Sequence, residues 1–392
     1  MHTKRRSSVC IATAAILVLP LMRVAPTRTK DIKKANFAQV VSKDESFASD
    51  FARDVELAPL PMQPAGMHWP RPRDWPTAGS NAALLTAASK LFDEAINDRS
   101  HTYGLLVVKG GQIAYERYDS PLAPQMQMHV AWSVCKSLVF AAFGILLRQG
   151  RIDLDAPAAV PEWSATDDPR RSISLRMLMQ MRSGLEEDPT ADYLPELSSA
   201  IVDLASTVIN HSAPGPHPPG LWYAYGNSGV LILCRILRDL VGGGEVGLKR
   251  FLQTELFDPM GIGIGWSLQL GFDQSGTLMG SSLLFATPRT LGKLGLLFLR
   301  DGVWDGRRLL PPGWVDFART PSFSDGNYLG YGALTWLDVR HRSWFYFAGA
   351  DGQRVLIAPE EDVVIVRLGR GGNMWDFRSV WDDQIAPLVA LA

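Results

Sequence analysis

The chain has 392 residues, too many for one ordinary core, and 46% hydrophobic with 20% charged residues excludes wholesale disorder. Its 39 Lys+Arg balance 40 Asp+Glu to a formal net charge of -1, which argues against a dedicated nucleic-acid binder. Cys10, Cys135 and Cys234 have neither zinc-finger nor thioredoxin spacing, and the usual zinc-hydrolase signatures are missing. Cys135 and Cys234 sit in apolar, helix-like runs and are expected to be buried free thiols.

Residues 1–30 read as an export signal or an N-terminal anchor. Lys4, Arg5 and Arg6 precede an apolar run from Val9 to Met22 that is short for a transmembrane helix. Pro26 after Val24-Ala25 is a poor context for cleavage, so an uncleaved anchor in the inner membrane stays open beside a periplasmic or secreted product. Residues 31–80 form a lead-in, first polar, then proline-rich from Pro59 to Pro76 and expected to run extended over a surface.

The folded body begins near Asn81, with helical periodicity from Ala82 to Ile96. Residues 103–108 and 112–118, joined through Lys109-Gly-Gly, form a predicted β-hairpin. Ser133 to Gln149 is an apolar helix stopped by Gly150, and Ser174 caps a short helix to Met181. Further helices are expected over 197–209, 228–240, 248–257 and 288–299, and strands over 332–337, 344–348, 354–358 and 363–368. Strands at both ends and helices between them predict an α+β fold. An antiparallel sheet domain from 81–132 and 275–392 would be flanked by helices, with a mostly helical domain, 133–274, inserted.

Lys136 is the strongest chemical anomaly. It is the only formally charged residue between Asp119 and Arg148, inside Trp132-Ser-Val-Cys-Lys-Ser-Leu-Val-Phe140. A helix apolar on every side is buried, and burial favours the neutral amine. Ser133 lies three residues earlier on the same helical face, and among ten lysines only Lys136 has that neighbour. A serine hydroxyl needs a base before it attacks a carbonyl, and a desolvated amine is a suitable one. The bland alternative makes Ser133 a cap and lets Lys136 snorkel to solvent. A second element, Tyr225-Gly-Asn227, supplies a phenol that could join the proton transfer and an amide that could hold the lysine. It also fits a plain loop entering the next helix, with Asn227 or Ser228 as cap. A third, Phe347-Ala-Gly-Ala-Asp-Gly-Gln353, is a glycine-rich turn at a late strand, where a free amide could complete an oxyanion hole.

Together and in this order, the three elements resemble the serine β-lactamase and penicillin-binding-protein superfamily, in the branch with the class C β-lactamase fold. The likeness extends to Gly150-Arg-Ile-Asp-Leu-Asp-Ala-Pro157, to Ser174 through Leu185 and to Leu256-Phe-Asp-Pro-Met-Gly-Ile262, over roughly residues 100–385. It implies a β-lactamase/transpeptidase-like sheet, an acyl-enzyme on Ser133, and Lys136 with Tyr225 as the proton-transfer pair. It makes Asn227 structural and substrate-facing, and puts Gly352 and Gln353 at the oxyanion site, with the amides of Ser133 and Gln353 as donors. No metal or organic cofactor is implied, and the partner is a small ester or amide.

One departure narrows this. Ala350-Asp351-Gly352 stands where β-lactamases carry Lys-Thr-Gly, so the cation that holds a penicillin carboxylate is missing. The Gly349-to-Gln353 form is more similar to the 6-aminohexanoate-dimer hydrolase and esterase subgroup. The alternatives are a β-lactamase or D-alanyl-D-alanine carboxypeptidase, with Arg354 replacing the missing lysine, and a catalytically silent binding protein on the same scaffold.

Overall fold

The computed structural model describes residues 57–71, 74–79, 81–93, 101–119, 127–188, 202–326, 329–341, 343–370 and 381–392. The N-terminal basic and apolar segment and the polar stretch to residue 56 lie outside them. So do part of the helix expected over 82–96 and the start of that over 197–209. Among the described residues no helix is long and apolar enough to cross a membrane.

Thirteen strands are described. They are β1 His101–Lys109, β2 Gln112–Tyr118, β3 His129–Val130, β4 Leu268–Leu270, β5 Leu284–Ala286, β6 Val303–Trp304, β7 Arg307–Arg308, β8 Phe323–Ser324, β9 Leu329–Tyr331, β10 Trp336–Asp338, β11 Phe345–Gly349, β12 Gln353–Ala358 and β13 Val363–Arg370. Eight form one sheet in the order β2-β1-β13-β12-β11-β10-β9-β8. Its ladders are antiparallel, and β1 joins β13 from Lys109 opposite Val363 outward. The fold is thus α+β, with the sheet closed between the two ends of the chain. β13 begins Val-Val-Ile-Val and is buried through Gly369, the pattern of a strand covered on both faces. β3, β5 and β4 make a small second sheet that periodicity did not foreshadow.

The run expected as one strand over 332–337 is the turn between β9 and β10 followed by the first two residues of β10. Leu334 sits at φ +49 and Gly332 N–H donates to Thr335 O at 2.9 Å, so the chain turns back there and β10 pairs with β9. The described part of the proline-rich lead-in has no helix and turns at Pro64–Met67, where Gly66 takes φ +76 and Met67 N–H donates to the Pro64 carbonyl. Arg319 donates to the Ala58 carbonyl at 2.6 Å, and Trp75 Nε1 to that of Gly111 at 2.9 Å.

Helices α1 (Ala82–Ser89), α2 (Cys135–Arg148), α3 (Leu175–Met179), α4 (Leu204–His211), α5 (Ser228–Val241) and α6 (Gly244–Leu252) precede β4. α6 continues through a π turn, Gln253–Phe257, to Met260. α7 (Pro288–Leu299) covers β12 and β13, and α8 (Trp314–Arg319) and α9 (Ala386–Leu391) follow. α2 is buried from Cys135 to Leu146, as its all-round apolar sequence requires, and Gly150 at φ +68 ends it. Beside α2, Trp314 stacks on Phe140 at 4.4 Å and donates its indole N–H to the Phe140 carbonyl.

A Cβ at Gly144 would lie 2.7 Å from Trp314 Cδ1. Gly144→Ala therefore sets a helix-propensity gain of about 1 kcal/mol against overpacking of about 1–3 kcal/mol. Trp314 is 2% exposed and cannot swing away. We expect a net loss of stability, read as a lower urea midpoint at unchanged m; a raised midpoint refutes the packing argument.

Candidate active site

Ser133 lies in the one-turn 3₁₀ helix Trp132–Val134, which runs directly into α2. Trp132 takes a left-handed φ of +51, which reverses the chain just ahead of Ser133. Ser133 is half-buried and Lys136, one turn on, is 2% exposed. Lys136 Nζ lies 2.9 Å from Ser133 Oγ, 2.7 Å from Asn227 Oδ1 and 2.9 Å from the Ser281 carbonyl. The reading in which this lysine snorkels to solvent is therefore excluded.

The three partners are chemically unequal. An amide oxygen and a backbone carbonyl only accept, so they fix two N–H groups of the lysine. The serine oxygen both donates and accepts. A neutral amine can accept the Ser133 proton along the third direction, and an ammonium can return it along the same line. The geometry serves both protonation states without rearrangement.

Each contact is set by packing nearby. Gly280 passes between α2 and α5, where a Cβ would be 2.5 Å from Val139 Cγ2 and 2.6 Å from Cys234 Sγ. Only glycine fits there, and the next residue, Ser281, presents its carbonyl to the amine. Asn227 precedes α5 and makes no side-chain cap bond. Glu187, from a segment 40 residues earlier, caps that helix instead: its Oε1 accepts from Asn227 N at 2.5 Å and from Ser228 N at 2.8 Å. The capping role expected for Asn227 or Ser228 is thus corrected, and the Asn227 amide is left for the lysine.

Tyr225 presents its ring to the amine, with the centroid 5.2 Å from Nζ. That is a cation–π position. The Tyr225 hydroxyl is buried and has no hydrogen-bond partner among the described residues, so no bond joins it to Ser133 or Lys136. An aromatic wall continues from it: Trp336 lies 4.8 Å from Tyr225, Tyr331 is edge-on to Trp336, and Tyr223 stacks on Phe323 at 4.2 Å. Burial pushes the phenols of Tyr223 and Tyr331 far up, which keeps both neutral. The thiols are excluded as rivals to Ser133. Cys135 and Cys234 are free and buried, and burial pushes Cys234 up to about 12 and Cys135 higher still.

The third motif occupies a different register from the one expected. Ala350–Gly352 is not on a strand but forms a tight 3₁₀ turn between β11 and β12. The residue that meets the Ser133 turn is Gly349, whose Cβ would run into the Ala131 carbonyl. Gln353 is corrected as an oxyanion donor. Its N–H donates to the Ala350 carbonyl, and its side chain is clasped to Gly369 by bonds of 2.6 and 2.9 Å. Gly352 is buried, and its carbonyl accepts from Arg367 Nη1 at 2.9 Å. Ala350, by contrast, is exposed. The indole of Trp132 donates to Asp351 Oδ2 at 3.2 Å and ties the two turns together.

The strand β11 itself ends Phe347-Ala348-Gly349, with no Lys or Arg among these residues. Arg354 does not replace one. It is 4% exposed, and its Nη1 donates to the carbonyls of Gly349 and Gln353 at 3.0 and 2.8 Å.

The comparisons agree with this architecture. The profile of the family described as Beta-lactamase matches residues 88–386. The chain is 26% identical over 331 residues to the 6-aminohexanoate-dimer hydrolase of Paenarthrobacter ureafaciens, covering 76% of this chain and 80% of that one. Among solved structures, a Bacillus anthracis protein provisionally named a 6-aminohexanoate-dimer hydrolase superposes with a TM-score of 0.67 at 22% identity, over 81% of this chain and 87% of the other. A penicillin-binding protein from Bacillus halodurans superposes at 0.57 and 15%, over 77% and 99%. With the profile spanning most of its length and the fold shared, the chain belongs to the beta-lactamase family.

Proposed function

We infer that this protein is a serine hydrolase that cleaves an ester or amide through an acyl-enzyme on Ser133. One observation carries the reading: a buried lysine whose amine is 2.9 Å from the serine oxygen and is held by two acceptor-only groups. Lys136 takes the Ser133 proton as Oγ attacks the carbonyl. The Tyr225 ring face favours the ammonium that results. The proton then passes to the leaving group, and water attacks the acyl-enzyme with the same amine as base.

The oxyanion donors in this reading are the N–H groups of Ser133 and Ala350. Ser133 lies in the first turn of its helix, where amides have no intrahelical acceptor. Ala350 follows the glycine that abuts the nucleophile turn, and β10 pairs only with Phe345 and Tyr346, so the outer side of β11 is open beyond them. The Gly349 carbonyl points to Arg354, and a trans peptide directs the Ala350 N–H the opposite way.

The substrate is a neutral or linear ester or amide. Three points support this: β11 ends Phe347-Ala348-Gly349 without a lysine or arginine, Arg354 is occupied, and a curated relative is a 6-aminohexanoate-dimer hydrolase. Short-chain p-nitrophenyl esters, a linear amide dimer and nitrocefin, assayed side by side, test it. The best ester or amide is expected to exceed nitrocefin by about 10-fold or more in kcat/KM. Nitrocefin as the preferred substrate overturns the assignment in favour of a β-lactamase.

A further inference from the structure

Arg354 is a buried cation on β12. In register, it stands opposite Ala348 on β11 and opposite Arg367 on β13. Two arginines face each other across neighbouring strands, an arrangement that like-charge repulsion opposes. Both are buried, and burial also disfavours their charge. Backbone carbonyls offset this. Arg354 Nη1 donates to Gly349 O and Gln353 O, and Arg367 Nη1 to Gly352 O. The carbonyls of the turn after β11 are thus gripped from within the sheet by two guanidinium groups.

The Gly349 carbonyl is special because of what lies at the other end of its peptide unit. That unit is completed by the N–H of Ala350, which the proposed mechanism aims at the developing oxyanion. Hydrogen bonding to a peptide oxygen draws electron density toward it and makes the N–H of the same unit a stronger donor. A charged donor does so more than a neutral one. It also pins the plane of the peptide, so the N–H need not reorient during the reaction.

We propose that Arg354 is a positioning residue of the oxyanion site, fixing and polarising the Gly349–Ala350 peptide through its carbonyl oxygen. The proposal rests on the serine-hydrolase reading above and adds to it a residue that never touches substrate.

The test uses the full chain, a p-nitrophenyl ester and the matching thionoester, whose sulfur accepts hydrogen bonds poorly. Arg354→Met is expected to lower kcat on the oxygen ester by about 10- to 100-fold, with KM within about twofold. The oxygen-to-sulfur rate ratio should fall with it. Affinity for a phenylboronic acid should fall in parallel, since its tetrahedral adduct on Ser133 puts an oxygen in the same site. Arg354→Lys keeps a cation with shorter reach and should recover part of the loss. A purely structural role would change melting temperature and active fraction but neither the ratio nor the boronate affinity. Wild-type kcat in folded Arg354→Met overturns the proposal. So does a lost kcat with ratio and boronate affinity unchanged. If Arg354→Met does not fold, Arg354→Lys decides by the same ratio: a wild-type ratio and kcat overturn the proposal. Ser133→Ala run alongside separates the two readings. Activity surviving in it removes the serine-hydrolase assignment, whereas its loss beside a fully active Arg354→Met removes only the role of Arg354.

Discussion

Replacing Ser133 by alanine is expected to lower kcat/KM by about 10³-fold or more while leaving the fold intact. The substitution removes one half-buried hydroxyl. Lys136 keeps its bonds to Asn227 Oδ1 and the Ser281 carbonyl, so the buried amine is not stranded. The melting temperature should therefore stay within a few degrees, roughly the shift that about 0.5–1 kcal/mol produces in a domain of this size. A fluorophosphonate should add one label to the wild-type chain, at Ser133, and none to the variant. Cys135 is two residues away, but its protonated, buried thiol is a poor competitor. Labelling at another residue, or full turnover in the alanine variant, sinks the assignment.

Loss of Lys136 should be as damaging, for a different reason in each variant. In Lys136→Ala the proposed base disappears, and Asn227 Oδ1 and the Ser281 carbonyl lose a buried donor, at about 1–3 kcal/mol for each acceptor left dry. Activity should fall about as far as in Ser133→Ala, because the two residues act as one unit. Lys136→Arg retains a positive charge but no basic nitrogen, since a guanidinium stays protonated in proteins. It should not restore turnover. Near-normal kcat in Lys136→Arg would mean that the lysine acts only as a charge. Tyr225→Phe then identifies the alternative base: it keeps the ring face over the amine and removes only the hydroxyl. A small effect of Tyr225→Phe beside an inactive Lys136→Arg fixes the lysine as the base.

What could be read from residues alone follows how local the cause is. Ser133 and Lys136 were legible because one helical turn and an apolar run put both chemistry and burial into nine consecutive residues. The end-to-end sheet was legible because β-branched runs lie at both termini of the folded body. Ser281 was not, because it contributes a backbone carbonyl that any residue could supply, brought in by a glycine 144 residues beyond Lys136. Glu187 caps α5 from a distant segment, and nothing in its own neighbourhood marks it. In the third motif the contact falls at Gly349, three residues before Gly352. Glycines at 349 and 352 both fit a turn, and only the packing of Gly349 on Ala131 tells which one meets the Ser133 turn. Arg354 looked like a candidate substrate cation because its charge is visible in sequence while its carbonyl partners are not.

The pairing of β1 with β13 has a consequence for when the candidate site is assembled. Lys109 and Val363 are about 250 residues apart, and closing a loop of that length costs about 5 kcal/mol in chain entropy before any ladder forms. Helices such as α2 and α5 assemble from near neighbours, so local structure is expected early and the centre of the sheet late. The turn that holds Gly349 hangs from β11 and β12, and β12 is anchored by β13. A nascent chain still lacking β13 carries Ser133 and Lys136 without the strand that anchors that turn. That turn is therefore anchored only once the chain has been made past Val363, and truncation upstream of Val363 leaves Ser133 and Lys136 without it.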